Sequence, residues 1–148
     1  MRKFARRLVV LGVSAAAVAA LAGSPAQAAT NPYTPAQACN NDFGGSWAST
    51  TDGHRTISDS KGAKVGDVYL MYNSATGDNC VTTIKAVHIG TATWVHAGLL
   101  VQGGSWKTQG NDYKYYAAVK ANATDKCVQY DGVVDTFLSG RYTWGNCG

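Results

Sequence analysis

Regular alternation of apolar and polar side chains is the feature that most constrains how this chain can fold. Thr93, Val95, Ala97, Leu99 and Val101 would share one face of a strand, and the same period of two recurs over 65–73 and 113–122. Successive side chains of a strand point to opposite faces, so the pattern predicts half-buried strands. No segment after residue 28 has a convincing helical period. We therefore predict an all-β fold, a small disulfide-stapled antiparallel sandwich or barrel.

Turn-forming residues mark where these strands reverse direction. The segment Ser74–Asn79 is rich in turn formers and precedes the β-branched segment Cys80–Val87, which predicts a hairpin with the strand that begins near Val65. A last strand pair is predicted over Val133–Leu138 and Arg141–Trp144.

The first 28 residues have the organisation of a secretory signal peptide. Basic residues stand between Arg2 and Arg7, an apolar run follows over Leu8–Gly23, and Ala26-Gln27-Ala28 forms a small-residue cleavage site. A membrane anchor is the alternative, but the run is shorter than the roughly 18–20 apolar residues that a span needs. Removing 28 of the 148 residues leaves 120, the length of one domain. Within it, we expect an irregular N-terminal arm over 29–63 and an all-β core over 64–148.

All four cysteines lie after the predicted cleavage site: Cys39, Cys80, Cys127 and Cys147. In an exported protein this count predicts two disulfides, with three possible pairings. We favour Cys39–Cys80 and Cys127–Cys147, because each pair would then close one sequential segment. A zinc site is disfavoured because the cysteines and histidines lack the close spacing of metal ligands. We expect no metal and no cofactor.

The net charge excludes a strongly basic nucleic-acid-binding protein. The chain has 13 Lys and Arg against nine acidic residues, but four of the basic residues lie in the predicted signal peptide. The remainder has nine of each sign and lacks the cationic excess that neutralises phosphates. We expect no nucleic-acid partner, and no membrane attachment after cleavage.

Aromatic residues are the most suggestive functional feature. All four Trp and eight Tyr follow residue 28, and such side chains suit both contact surfaces and small β cores. Trp106 follows a Gly-Gly loop, and Tyr116 shares a strand face with Lys114 and Lys120, so Trp106 and Tyr116 are our candidate contact residues. Catalytic residues are not predicted, because no Gly-x-Ser-x-Gly motif accompanies the histidines.

Several segments in order resemble the spore-associated protein A family. These are Val68-Tyr69-Leu70-Met71-Tyr72-Asn73-Ser74, Thr76-Gly77, Asn79-Cys80-Val81, Gly103-Gly104-Ser105-Trp106, Tyr113, Tyr116-Ala117, Cys127-Val128 and Asn146-Cys147-Gly148. The resemblance covers roughly residues 65–148. It implies a small exported protein of spore-forming filamentous bacteria, associated with the outside of spores or aerial filaments, and it transfers no enzymatic activity or cofactor.

The function predicted from these observations is that of a non-enzymatic secreted protein on the spore or cell-wall surface, acting by adhesion through surface aromatics. The partner would be a component of that surface, and we expect a monomer. A secreted inhibitor of an extracellular enzyme is the alternative, with Ser74–Asn79 and Gly103–Gly110 as candidate loops. A small secreted hydrolase using His88 or His96 is the third hypothesis.

The signal-peptide prediction has a direct test. Expression in a secreting bacterial host is expected to release a chain that begins at Ala29, because the small residues before it suit signal peptidase. N-terminal sequencing and intact mass of the exported protein measure this. A product that retains residues 1–28 would contradict the prediction.

Overall fold

The computed structural model describes residues 28–148, so residues 1–27 of the predicted signal peptide lie outside the described residues. The elements are α1 (Pro35–Phe43), β1 (Ala48–Ser58), β2 (Lys64–Asn73), β3 (Asp78–Lys85), β4 (Thr93–Val101), β5 (Trp106–Tyr113), β6 (Tyr116–Asn122), β7 (Val128–Val134) and β8 (Phe137–Gly145). Strands β1-β2-β3-β6 form sheet I, and strands β5-β4-β7-β8 form sheet II. Every strand pair is antiparallel. The predicted all-β sandwich is confirmed.

The main core lies between the two sheets. Val68 and Leu70 of β2 and Val95, Ala97 and Leu99 of β4 are fully buried in one apolar cluster. Their alternate neighbours point to the outer faces, as the period of two predicts. The half-buried strand predicted over Thr93–Val101 is therefore confirmed as β4, whereas β2 is buried on both faces because α1 covers its outer side.

The predicted hairpin is formed by β2 and β3. Met71 pairs with Cys80 and Asn73 pairs with Asp78 across the two strands. The Asn73 carbonyl oxygen accepts a hydrogen bond from the Gly77 N–H at 2.9 Å. Gly77 has a φ of 72°, which a residue without Cβ adopts readily.

The segment 29–63 was expected to be irregular. The structure shows that this expectation is wrong, because the segment contains α1 and β1. The Thr34 hydroxyl accepts a hydrogen bond from the Gln37 N–H at 3.2 Å, and the Gln37 side chain accepts one from the Thr34 N–H at 2.9 Å. This capping box, with Pro35 in the first turn, begins the helix. Gly44, with a φ of 68°, ends it.

Two of the four edge strands, β1 and β5, were the other elements that the alternation did not predict. β1 buries only Gly53 and Ile57, and β5 has no buried residue. An edge strand that is exposed on both faces shows no apolar period. For this reason the segment Gly103–Gly110, which includes the first residues of β5, was predicted to be a loop.

The last hairpin also differs from its prediction. Its turn lies at Asp135–Thr136, not near 139–140, so β7 ends at Val134 and β8 begins at Phe137. Asp135 has a φ of 56°, and aspartate tolerates this left-handed conformation better than most residues. The turn therefore needs no glycine, which is why the sequence did not reveal it.

Two disulfides, Cys39–Cys80 and Cys127–Cys147, are present in the favoured pairing. The first attaches α1 to the outer face of sheet I, where Cys39, Cys80, Trp47, Met71 and Ala118 form a second buried cluster. The bridges close segments of 41 and 20 residues, which corresponds to about 4 and 3 kcal/mol of chain-entropy stabilisation. Within residues 28–148, no helix is long and apolar enough to cross a bilayer.

A buried lysine links the two sheets at one end of the sandwich. Lys85, the last residue of β3, is 1% exposed. Its Nζ donates to the Thr91 carbonyl at 2.8 Å, the Thr93 hydroxyl at 2.6 Å and the Tyr113 carbonyl at 3.0 Å. Burial lowers the pKa of the Lys85 ammonium, partly opposed by Asp135 and Asp112. All three of its hydrogens have acceptors, as a buried charge requires.

We predict that Lys85→Met lowers the free energy of unfolding by about 2 kcal/mol, because the carbonyl groups of Thr91 and Tyr113 lose a donor inside the protein. Urea unfolding of the oxidised protein measures this. Lys61→Met, in the exposed β1–β2 turn, is the matched control and should change the value by less than about 0.5 kcal/mol. Equal stability of the two variants would contradict the structural role of Lys85.

Candidate functional site

The outer faces of the two sheets differ in what covers them. In the described part of the chain, α1 packs on β2, β3 and β6 of sheet I, so the outer face of sheet II is open to solvent. Among residues 28–148, the large exposed hydrophobic side chains all belong to strands of sheet II: Trp94 (45% exposed), Trp106 (38%), Leu138 (56%), Tyr142 (51%) and Trp144 (44%). Clustering of exposed aromatics on one face is typical of an interaction surface.

Trp106 and Tyr142 meet across this face. Trp106 begins β5 and Tyr142 lies in β8, the two edge strands of sheet II. Three strand spacings separate these edges by about 14 Å, yet the two ring centroids are 6.3 Å apart. Both side chains therefore lean inward over β4 and β7 and form an aromatic rim above the middle of the sheet.

Beside this rim lies a pair of polar side chains, His96 on β4 and Asp131 on β7. His96 Nδ1 is 3.9 Å from Asp131 Oδ1, which is longer than a hydrogen bond. Both atoms are buried, and neither has a hydrogen-bond partner in the described residues. The other carboxylate oxygen, Oδ2, accepts from the Tyr142 hydroxyl at 3.3 Å. The side chains keep 20% and 15% of their surface exposed through their other atoms, whereas Nδ1 and Oδ1 themselves are covered.

Two glycines make room for these side chains. Gly98 pairs with Asp131, and a Cβ at Gly98 would overlap Asp131 Oδ1 and lie 3.3 Å from His96 Cε1. Gly110 pairs with His96, and a Cβ there would lie 2.9 Å from the Trp94 ring. Asp131, His96 and Trp94 therefore lie close over the backbone, at positions that a larger residue would occupy.

The polar pair has a clear electrostatic character. Burial raises the pKa of the Asp131 carboxyl, and the neighbouring His96 partly offsets the increase. Burial, followed by the charge of Asp131, raises the pKa of the Tyr142 hydroxyl to about 12. Tyr142 thus remains a hydrogen-bond donor throughout the physiological pH range.

The structure does not bring the two predicted contact residues together. Trp106 lies on sheet II, whereas Tyr116 begins β6 on sheet I. The Tyr116 hydroxyl accepts from Asn41 Nδ2 at 2.7 Å and donates to Asp42 Oδ1 at 2.8 Å. Its ring packs edge-on against Tyr33, with the centroids 4.9 Å apart. It lines a separate cleft of about 500 Å³ between α1 and the β5–β6 connection.

The remaining histidines lie elsewhere. His54 Nε2 is 2.8 Å from Asp67 Oδ1, but this carboxylate also binds Thr56 and Lys64. His88, named for the third hypothesis, lies in the β3–β4 connection with a φ of 51°. Among residues 28–148, no serine hydroxyl is hydrogen-bonded to a histidine, and no cluster of three metal-ligating side chains occurs.

Sequence reasoning missed Asp131 and Tyr142 as site residues and interpreted His96 only as a residue on the less apolar face of a strand. The available signal was Gly98, since an isolated glycine within an alternating strand often marks the close approach of another group. The identity of that group depends on the β4–β7 register, which local patterns do not specify.

We predict that Asp131→Asn raises the free energy of unfolding at pH 7, because the folded state no longer holds a partly buried carboxylate. The raised pKa of Asp131 means that the folded protein binds this proton more tightly than the unfolded chain does. The substitution therefore raises the free energy of unfolding at pH values above the pKa of folded Asp131. This increase disappears as the pH falls below about 3.9, where Asp131 is protonated in both the folded and the unfolded protein.

Urea unfolding between pH 3 and pH 8 measures this difference, since its slope reports the proton linkage. Asp125→Asn is the matched control, because Asp125 is an exposed carboxylate in a turn with a φ of 56°, which asparagine also tolerates. Lower stability of Asp131→Asn at pH 7 would show that the carboxylate stabilises the fold.

Comparison with known proteins gives one relative. A stretch of 98 residues is 35% identical to Spore-associated protein A of Streptomyces coelicolor, covering 65% of this chain and 62% of the relative. The chain thus spans less than two thirds of that protein's length. No family model matches the sequence, and no solved structure matches it. The alignment supports the resemblance found in the sequence: over these 98 residues the chain is similar to Spore-associated protein A.

Proposed function

We propose that this chain is a secreted, non-enzymatic protein that adheres to the spore or cell-wall surface through the outer face of sheet II. The observation that carries the proposal is the exposure of Trp94, Trp106, Tyr142 and Trp144 on one sheet. Burying such side chains against a partner is favourable, and their ring N–H and O–H groups can still find hydrogen-bond partners.

The open face contrasts with the sheet that α1 covers. Trp47 lies under the helix segment and is 7% exposed, whereas the tryptophans of sheet II are 38% to 45% exposed in β4, β5 and β8. The chain therefore buries the tryptophan that packs against sheet I and leaves the tryptophans of sheet II exposed. A monomeric protein rarely exposes a large apolar patch unless that patch takes part in an interaction.

The charge of the predicted mature chain favours adhesion by contact. Nine basic and nine acidic residues remain after the four leading basic residues are removed with the signal peptide. Long-range attraction to a charged surface is screened by salt, whereas burial of apolar area is not. Attachment through this face should therefore persist at high ionic strength.

The relative's name supports the location. Spore-associated protein A is described by its association with spores, and we extend this association to the present chain. Two disulfides and the predicted signal peptide favour an extracellular site of action, because disulfides persist in oxidising compartments.

A pull-down on washed spores and purified vegetative cell wall tests the proposal. The oxidised protein, residues 29–148, is expected to be retained at both low salt and about 1 M salt, where charge attraction is screened within about 3 Å. Trp106→Ala combined with Tyr142→Ala should reduce retention about tenfold or more, because both rim aromatics are lost. Circular dichroism and urea unfolding establish that the variant is folded.

Tyr116→Ala is the matched comparison, since it removes an aromatic side chain from sheet I. Retention equal to wild type in this variant would confine the contact surface to sheet II, and reduced retention would extend it to the Tyr116 cleft. Equal retention of the rim variant and wild type, or no retention of wild type on either material, would overturn the proposed function.

A further inference from the structure

We propose that the outer face of sheet II contains a binding site for an uncharged polysaccharide, centred on Asp131 and His96 and bordered by the Trp106–Tyr142 rim. This inference rests on the proposed function, since it names the chemical class of ligand for the same face. The argument depends on the polar pair, its aromatic borders and the local charge.

The polar pair is arranged for a ligand hydroxyl. His96 Nδ1 and Asp131 Oδ1 are 3.9 Å apart, both are buried, and neither is paired within the described residues. Buried polar atoms without partners are uncommon and unfavourable in folded proteins. Nδ1 and Oδ1 are covered, so the hydroxyls of a ligand meet the exposed parts of this group. These are the exposed part of the His96 ring and the Tyr142 hydroxyl, which donates to Asp131 Oδ2 at 3.3 Å and whose side chain is 51% exposed. Sugars present several such hydroxyls on each ring.

Flat apolar surfaces flank this pair on two sides. The Trp94 ring lies over Gly110, and Trp106 lies four residues earlier on β5, about 13 Å along the strand. Rings of this kind pack against the C–H face of a sugar, while its hydroxyls reach polar groups at the edge. Two aromatic surfaces separated by a polar pair suit successive sugars of a chain running along the strands, rather than one isolated monosaccharide.

The charge around the pair favours a neutral ligand. Across the strands, His96 pairs with Gly110 and Val133, and Gly98 pairs with Thr108 and Asp131. Asp131 pairs in turn with Gly140. No lysine or arginine is among these described partners, so an anionic polymer would meet the Asp131 carboxylate without a fixed cation to balance it. An uncharged polysaccharide meets hydrogen-bonding groups without this repulsion.

Binding to neutral polysaccharides tests the inference. The oxidised protein is incubated with insoluble cellulose and with chitin, and the bound fraction is measured with and without soluble cello- or chito-oligosaccharides as competitors. Wild type should bind at least one polymer, and the matching oligosaccharide should displace it. Asp131→Asn should weaken binding about tenfold or more, because the charge-assisted hydrogen bond that orients the Tyr142 hydroxyl is lost. Trp106→Ala should reduce binding and also suppress the ligand-induced change in tryptophan fluorescence.

Asp125→Asn is the control, because it removes the same charge from an exposed turn outside sheet II. Urea unfolding of Asp131→Asn excludes misfolding as the reason for lost binding. Wild-type retention on spores or cell wall without polysaccharide binding would overturn the inference and leave the proposed function standing. Polysaccharide binding that is unchanged in Asp131→Asn would also overturn it. Loss of binding in Asp131→Asn and Trp106→Ala, with Asp125→Asn unaffected, would support it.

Discussion

The placement of sheet II against sheet I depends on the buried ammonium of Lys85. The chain leaves sheet I at this residue and enters sheet II at Thr93, where the Lys85 Nζ binds the Thr93 hydroxyl. The same Nζ binds the Tyr113 carbonyl, just before the chain returns to sheet I. The Lys85 ammonium therefore holds two of the connections between the sheets, the β3–β4 connection and the β5–β6 connection. Asn31 reinforces this end by donating to the carbonyl oxygens of Lys85 and Tyr115 at 3.0 and 2.8 Å.

The outer face of sheet II combines features that do not favour stability. Burial raises the pKa of Asp131, so the fold must hold a carboxylate where the charged form is disfavoured. Gly98 and Gly110 leave room for the side chains of His96 and Trp94 because they have no side chain of their own. Glycine in the interior of a strand weakens the strand. Features of this kind tend to concentrate at functional sites, since selection retains them there despite their cost to folding.

The sequence predicted the strands whose side chains alternate between apolar and polar. In β2 and β4 one face meets the main core, and α1 then buries the other face of β2 as well, which the alternation did not indicate. β5 is exposed on both faces, and α1 has only nine residues, so neither has a strong apolar period. The capping box at the start of α1, formed by Thr34 and Gln37, was the sequence signal available for this helix. Trp106 was identified as a surface candidate, but the Asp131–His96 pair was not, because the β4–β7 register brings together residues 35 positions apart.

The Cys39–Cys80 bridge makes the number of open apolar faces depend on redox conditions. In the oxidised protein, the bond keeps α1 over Trp47 and Met71, so the large exposed hydrophobic side chains of residues 28–148 lie on sheet II. In a reduced chain, the helix would be held by noncovalent packing alone, and its opening would uncover a second apolar face. Oxidation thus leaves one apolar face open where reduction would leave two, so the redox state of the compartment in which the chain folds sets how many apolar faces it exposes.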